Sequence, residues 1–313
     1  VSSYAKSPPH LAAVAELGRS NRNVVVVSQD FGAAGAFTAE FPERHFDVGI
    51  SEENLVGVAA GLAHTGKIAF VLAMAPFVTM RAFEQIRDDC AYNRNNVKIL
   101  ALFTGLEAGA WGATHHAMED LALMRGIPGM TVLVPADAIE VGEAIHAAAE
   151  TEGPVYVRVA GFAADMSPIE GDRQPLRVGK ASQLRPGNDL AILATGTAVR
   201  TALEARKVLA REGIDARVLN FHTIKPIDRE AIELAASETG LLLTVEEHST
   251  VGGLGTATSE VLSEFGRGRL RRLGIPDRFC TEVAPYKELL QACGLDVPGV
   301  AAAARELIAV RGS

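Results

Sequence analysis

The chain has 313 residues, 48% hydrophobic and 22% charged, which supports a sizeable core and about two domains of roughly 150 residues each. Its 38 acidic against 30 basic residues give a formal charge of −8, which disfavours general binding to nucleic acid or to anionic membranes. No run approaches the ~20 apolar residues that span a bilayer and no basic-then-apolar leader is visible; three scattered cysteines (Cys90, Cys280, Cys293) fit a reducing cytoplasm without disulfides or cysteine-based zinc.

In chain order, NVVVVSQD (23–30) reads as a buried strand, four valines running into polar residues at its C-terminal edge. A helix follows over 51–66, where Leu55, Val58, Ala59 and Leu62 recur at i, i+3, i+4 and i+7 and mark one buried face. Ser51 suits its N-cap, acids fill the first turn, and Gly66 suits its stop. KIAFVLA (67–73), VKILALF (97–103), MTVLVPA (130–136) and PVYVRVA (154–160) repeat the strand pattern, with helices predicted over 79–93 and 137–151 between them. The alternation predicts a mostly parallel sheet covered on both faces. At 161–178 the pattern lapses into residues rich in Gly, Pro and charge, which reads as a linker. A second α/β unit has strands over 189–195, 215–221 and 240–247 and helices over about 198–212, 228–237 and 253–265. Two short helices close the tail between about 286 and 310. The fold class is α/β, two domains each built on a mostly parallel sheet covered by helices: residues 1–164, a linker at 165–177, and residues 178–313.

GAWGATHHAMED (109–120) concentrates the only tryptophan, two histidines and two acids. A metal site fits poorly: His115/Glu119 and His116/Asp120 would lie about 100° apart around a helix, and H-E-x-x-H is absent. The plainer alternative is that Glu119 and Asp120 occupy a helix's first turn. VGGLGTA has neither the P-loop lysine nor a G-x-G-x-x-G, and no G-x-S-x-G supplies a hydrolase nucleophile. Glu52, just after the strand-like FDVGI and in the first helical turn, is open to a functional or a merely dipole-stabilising role.

QDFG (29–32), FDVGISEENLVGVAAGLAHTGK (46–67), PFVTMRAFEQIRDD (76–89), GATHHAMEDLALMRGIPGMTVLVPAD (112–137), GPVYVR (153–158), TIKPID (223–228), VEEHSTVGGLG (245–255) and GIPDRF (274–279) together resemble the thiamin-diphosphate-dependent transketolases. More specifically, the chain resembles the C-terminal polypeptide of a split transketolase, a pyrimidine-binding domain followed by a transketolase C-terminal domain. The resemblance implies that Glu52 hydrogen-bonds N1′ of the cofactor's aminopyrimidine and favours the tautomer that takes the thiazolium C2 proton. Phe77 is implied to pack on the aminopyrimidine and Phe83 to lie at a second aromatic position nearby, while Asp30 and Ile50 are implied to flank the cofactor. His115 takes the position of a substrate-facing histidine that stabilises developing oxygen charge or shuttles protons.

Two departures concern the substrate. The family pattern G-E-D-G-x-(Ser/Thr)-H-Q here reads Gly109-Ala110-Trp111-Gly112-Ala113-Thr114-His115-His116, so Trp111 puts a large apolar wall where an aspartate holds a donor hydroxyl. After GPVYVR, where related chains often carry a further arginine for substrate phosphate, this chain continues Val159-Ala160-Gly161-Phe162, and Arg158 reads as structural. The expectation is an unphosphorylated, sulfonated or less hydroxylated carbonyl substrate.

The family's G-D-G…Asn motif for Mg²⁺ is missing, since the only Gly-Asp is Gly171-Asp172 in the linker, and a hard cation needs oxygen ligands. The resemblance therefore implies an N-terminal, diphosphate-binding partner subunit that carries Mg²⁺, in an α2β2 assembly with thiamin diphosphate between the chains. The expected activity is ketol transfer between a ketose-type donor and an aldehyde acceptor. Decarboxylative condensation of a 2-oxo acid, and a non-catalytic regulatory subunit, are the alternatives.

Overall fold

The computed structural model describes residues 8–30, 35–169 and 174–310; Phe31, Gly32, Gly171 and Asp172 lie outside the described residues. The first half runs α1 (Pro9–Ser20), β1 (Val24–Ser28), α2 (Ala36–Glu40), β2 (His45–Asp47), α3 (Glu52–His64), β3 (Ile68–Met74), α4 (Ala75–Met80), α5 (Phe83–Gln85), β4 (Val97–Leu102), α6 (Asp120–Gly126), β5 (Thr131–Leu133), α7 (Ala138–Glu150) and β6 (Val155–Arg158). The second runs β7 (Ser182–Arg185), β8 (Leu190–Ala194), α8 (Ala198–Arg211), β9 (Ala216–Asn220), β10 (Thr223–Lys225), α9 (Arg229–Thr239), β11 (Leu241–Ser249), α10 (Leu254–Phe265), β12 (Arg269–Ile275), α11 (Tyr286–Ala292) and α12 (Val297–Ala309).

The strands form two sheets, ordered β10-β5-β6-β4-β3-β1-β2 and β12-β11-β8-β9-β7. Every pairing is parallel except β10 on β5 and β7 on β9. Apolar runs such as Val24–Val27 are buried throughout, as parallel strands covered on both faces require. The two halves are not independent. β10 crosses over to edge the first sheet, and one apolar cluster joins Val27, Val71 and Ile99 to Leu193, Phe221, Ile224 and Leu254.

Several elements differ from expectation. The helix anticipated over 79–93 starts earlier and is broken at Ala82 (φ −97, ψ 23), after which Ile86–Tyr92 winds as a wider π-helix. The Thr79 hydroxyl donates to the Ala75 carbonyl (2.6 Å), a local bond that competes with the regular ladder. Ser51 occupies the N-cap of α3, but its hydroxyl donates to the Val48 carbonyl (3.3 Å) rather than capping. Asp137, Asp228 and Asp296 do cap, each accepting from a backbone N–H of the first turn of α7, α9 or α12. Cys280 and Cys293, distant in sequence, lie with their sulfurs 3.6 Å apart in the interior as free thiols. No described helix is long and apolar enough to cross a membrane.

Candidate functional site

In an open parallel sheet, ligands bind beyond the carboxyl ends of the strands, where backbone and side chains of successive loops converge. Asp30 follows β1, Phe77 lies just past β3, Phe103 follows β4, and Phe162 follows β6, so all four loops rise from one edge of the first sheet.

Glu52 is the first residue of α3, and its side chain is 1% exposed. One carboxylate oxygen, Oε2, accepts from Arg81 Nη1 at 2.5 Å. The other, Oε1, is buried with no hydrogen-bond partner among the described residues. A buried acceptor left unpaired costs about 1–3 kcal/mol, so this oxygen is free to accept from a donor outside the described residues. Arg81 also lies over the face of Phe77, its guanidinium carbon 4.9 Å from the ring centroid. From Phe77 the contacts run on through aromatic rings. His115 meets Phe77 edge-on, with centroids 5.2 Å apart; Trp111 tilts against His115 at 5.4 Å; Phe103 lies 5.3 Å from Trp111; and Phe162 lies 4.3 Å from Phe103 and 5.9 Å from Trp111. The His115 Nδ1 is 3.0 Å from the Thr114 hydroxyl, which fixes the ring's orientation.

The structure thus brings Glu52, Phe77, His115 and Trp111 into one chain of contacts. Phe83, in α5, which packs against α3 and α4, is partly buried against the apolar core. Asp30 adopts a left-handed conformation (φ 41) and its N–H donates to Asp47 Oδ1 at 3.2 Å. Ile50 is 73% exposed in the loop before α3. Among the described residues no group of three or more His, Cys, Asp or Glu side chains is placed to hold a metal ion.

His115, His116, Glu119 and Asp120 do not share a helix. A short 3₁₀ turn over Ala113–His115 gives way to extended backbone at His116, and α6 begins only at Asp120. Asp120 is more than a first-turn acid. It is fully buried, its Oδ2 accepting from Arg158 Nε at 2.8 Å and from the Tyr156 hydroxyl at 2.6 Å. Burial and the Asp120 charge push the Tyr156 phenol well above its ordinary range. Arg158 is consumed in this cluster, its Nη2 donating to the carbonyls of Ala117 (3.1 Å) and Glu247 (2.9 Å).

The segment from Gly105 to Ala117 carries Trp111 and His115, and its base is closed by paired backbone bonds between those two end residues. The second half of the chain clamps it. The Glu247 carboxylate accepts from Leu106 N–H (2.7 Å), the Thr197 hydroxyl (2.6 Å) and the Tyr286 hydroxyl (2.5 Å). Burial raises the carboxyl's pKa despite these donors and the nearby Arg158. Burial likewise raises Glu246 to about 7 and lowers His248 to about 4. Gly105 (φ +57) leaves room for the Glu247 carboxylate that any side chain there would overlap.

At Gly109 a Cβ would stand 2.5 Å from the Ala284 carbonyl oxygen and 2.7 Å from Leu289 Cδ1, so the loop packs directly on the segment leading into α11. Gly109→Ala is expected to destabilise the protein by about 1–3 kcal/mol through overpacking. Because it displaces the loop bearing His115, it should also slow turnover. Thermal melting together with steady-state rates checks both effects, and an unchanged melting curve would contradict the packing argument.

Sequence reasoning gave no role to Arg81, Phe103 or Glu247 and read Asp120 only as a metal candidate or a first-turn acid; the role of each in the site comes from partners brought to it by the fold.

The chain matches the family model for the transketolase pyrimidine binding domain over residues 11–160 and that for the transketolase C-terminal domain over 179–300. It is 42% identical over 296 residues to one subunit of the apulose-4-phosphate transketolase of Phocaeicola vulgatus, covering 94% of each chain. It is 40% identical over 295 residues to a 6-deoxy-6-sulfo-D-fructose transketolase subunit of Clostridium sp., covering 93% of this chain and 91% of that one. A 1-deoxy-D-xylulose-5-phosphate synthase of Geobacter sulfurreducens is 38% identical over 305 residues, 96% of this chain but 47% of the synthase. Among solved structures, a split gene transketolase described as an inactive beta4 tetramer superposes with a TM-score of 0.88 at 41% identity, covering 97% of this chain and 98% of that one.

Proposed function

The chain belongs to the transketolase family as a subunit of a two-polypeptide enzyme, and we propose that it transfers a ketol unit from a ketose-type donor to an aldehyde with non-standard substrate selection. The observation that carries this reading is the buried Oε1 of Glu52, unpaired among the described residues, beside Phe77 and His115. Family membership implies thiamin diphosphate. The residues fit its aminopyrimidine end: Glu52 Oε1 would accept from a ring N–H, and Phe77 would pack against the ring. Bound there, the cofactor supplies an electron sink for the carbon–carbon bond cleaved next to the donor carbonyl.

The rest is done by side chains of this chain. Arg81 gives the interior carboxylate its countercharge, since an uncompensated buried charge is costly. His115, bonded to Thr114 and set between the rings of Phe77 and Trp111, would take the proton that leaves the donor hydroxyl as the first aldehyde departs. It returns a proton to the acceptor's carbonyl oxygen as the new carbon–carbon bond forms. Trp111, at the position where the family pattern has an acid, offers no acceptor for a donor hydroxyl, which weakens selection for a polyhydroxylated chain.

The diphosphate end and Mg²⁺ fall to the partner. An N-terminal subunit in an α2β2 assembly would close over Ile50 and Glu52. Calorimetric titration of thiamin diphosphate with Mg²⁺ tests this arrangement. The chain alone should bind weakly or not at all, and the mixture with its partner should bind about one cofactor per pair. Tight binding by the chain alone would overturn the shared site. Similarity to the synthase supports a second reading, decarboxylative condensation of a 2-oxo acid, and carbon dioxide released in proportion to product would favour it over ketol transfer between sugars.

A further inference from the structure

Phe103, Trp111 and Phe162 come from three different stretches of the chain and meet in one patch, with centroids 4.3–5.9 Å apart. The chain is only 5% aromatic, so three rings converging beside His115 mark a local concentration. Two of them are poorly covered: Trp111 is 48% exposed and Phe162 61% exposed. Phe103 holds a left-handed backbone (φ 56), unusual for a bulky residue, which turns the chain sharply at the end of β4. Exposed rings cost solvation, and strained backbone persists at positions tied to a ligand.

Behind the rings lies a cavity of about 260 Å³ lined by Phe103, Phe162, Leu102, Val141, Val159 and Met166 among others. His10 is the one ionisable group among the described residues that line it, and burial lowers its pKa to about 4, so that described lining is uncharged at neutral pH. None of those residues is a lysine or arginine that could receive a phosphate.

We propose that Phe103, Trp111 and Phe162, with the cavity behind them, form the subsite for the far end of the substrate, and that this end is an uncharged apolar group, aromatic or branched alkyl, rather than a sugar phosphate. The inference rests on the ketol-transfer reading of the same site and names the class of substrate it takes. Continuity carries it. The contacts run without a gap from Glu52 through Arg81, Phe77 and His115 to Trp111, Phe103 and Phe162, so a molecule reacting beside His115 extends over the three rings. A phosphate there would leave its water for ring faces and an apolar cavity with no cation among its described lining residues, which is strongly unfavourable. An apolar tail instead gains by burial, at a level that separates substrates by roughly 10- to 200-fold for each group matched.

Two measurements test this separately from the activity it rests on. Trp111 is the only tryptophan in the chain, so the emission of the full chain reports on this patch alone. Benzyl alcohol should shift that emission saturably, Phe162→Ala should weaken the apparent affinity at least about fivefold, and ribose 5-phosphate at equal concentration should leave the emission unchanged. In the enzyme assembled with its partner, with fructose as an unphosphorylated ketose donor, kcat/KM for benzaldehyde should exceed that for ribose 5-phosphate. Phe162→Ala should lower the benzaldehyde-to-glycolaldehyde ratio of kcat/KM about tenfold, and Phe162→Arg should shift preference toward the phosphorylated acceptor. Ribose 5-phosphate as the better acceptor, with no emission response to benzyl alcohol, overturns the proposal while leaving ketol transfer standing. A Phe162→Ala chain that binds benzyl alcohol normally but no longer assembles assigns the patch to the partner subunit and overturns it equally. An emission response with no ketol transfer to any aldehyde keeps the apolar subsite and removes only the reaction.

Discussion

Glu52→Gln is expected to lower turnover of the assembled enzyme by about 10²- to 10⁴-fold, the range for loss of a positioned acid–base group, while leaving the fold intact. The size follows from where the carboxylate sits. It opens α3 with 1% of its side chain exposed, one oxygen held by Arg81 and the other buried with no partner among the described residues. Glutamine fills the same volume, so no cavity forms. Arg81, 46% exposed, loses its ion pair but turns its charge to water, and the stability cost stays at about 1 kcal/mol. What glutamine cannot do is carry the negative charge that takes a share of a proton from a bound ring nitrogen. Circular dichroism and thermal melting measure the first half of the expectation and single-turnover kinetics the second. Normal turnover would remove Glu52 from the chemistry; a collapsed melting temperature would mean that the carboxylate serves the fold.

Much of the architecture is legible from local pattern because parallel strands advertise themselves. Val24–Val27 in β1 and Leu190–Ala194 in β8 are apolar without interruption, and the helices between such strands keep one buried stripe. β12 escapes for the opposite reason. Its sequence RLRRLGI puts three arginines in an edge strand, where charge guards against further pairing and hides the apolar alternation. β10 escapes because three residues, Thr223–Lys225, carry no periodicity; only the tertiary fold takes them across to the first sheet. The π-helical stretch after α5 is likewise set by packing rather than by its residues' helix propensity.

The candidate site divides in the same way. Glu52, Phe77, His115 and Trp111 stand in stretches whose motifs are continuous in sequence, so a family resemblance reaches them. The Arg81 bond to Glu52 spans 29 residues, and the Glu247 bond to Leu106 spans 141. Neither is a motif, and both are consequences of helix and strand packing that a linear pattern does not encode. The replacement of acid by Trp111 and the appearance of Phe162 look like two separate losses in the sequence. In space they are a single surface.

Asp120→Asn is expected to destabilise the protein by about 3–5 kcal/mol, lowering the melting temperature by roughly 5–10 °C, because it strands a charge in the interior. Arg158 has 4% of its side chain exposed and Asp120 none, so neither group can turn to solvent when its partner is changed. Asparagine retains a bond to the Tyr156 hydroxyl but leaves the guanidinium with only the carbonyls of Ala117 and Glu247. Arg158→Met strands the carboxylate instead, and should cost a similar amount. The double variant removes both charges, so its loss should fall well short of the sum of the two, a coupling that a double-mutant cycle reads directly. Additive losses would mean that the pair is not the unit of stability. The same cycle bears on function through the loop. Arg158 holds the Ala117 carbonyl, Ala117 closes the base of the loop on Gly105, and that loop carries Trp111 and His115. Activity of the single variants should therefore fall at temperatures well below their melting points, as the base of the loop loosens before the two sheets part.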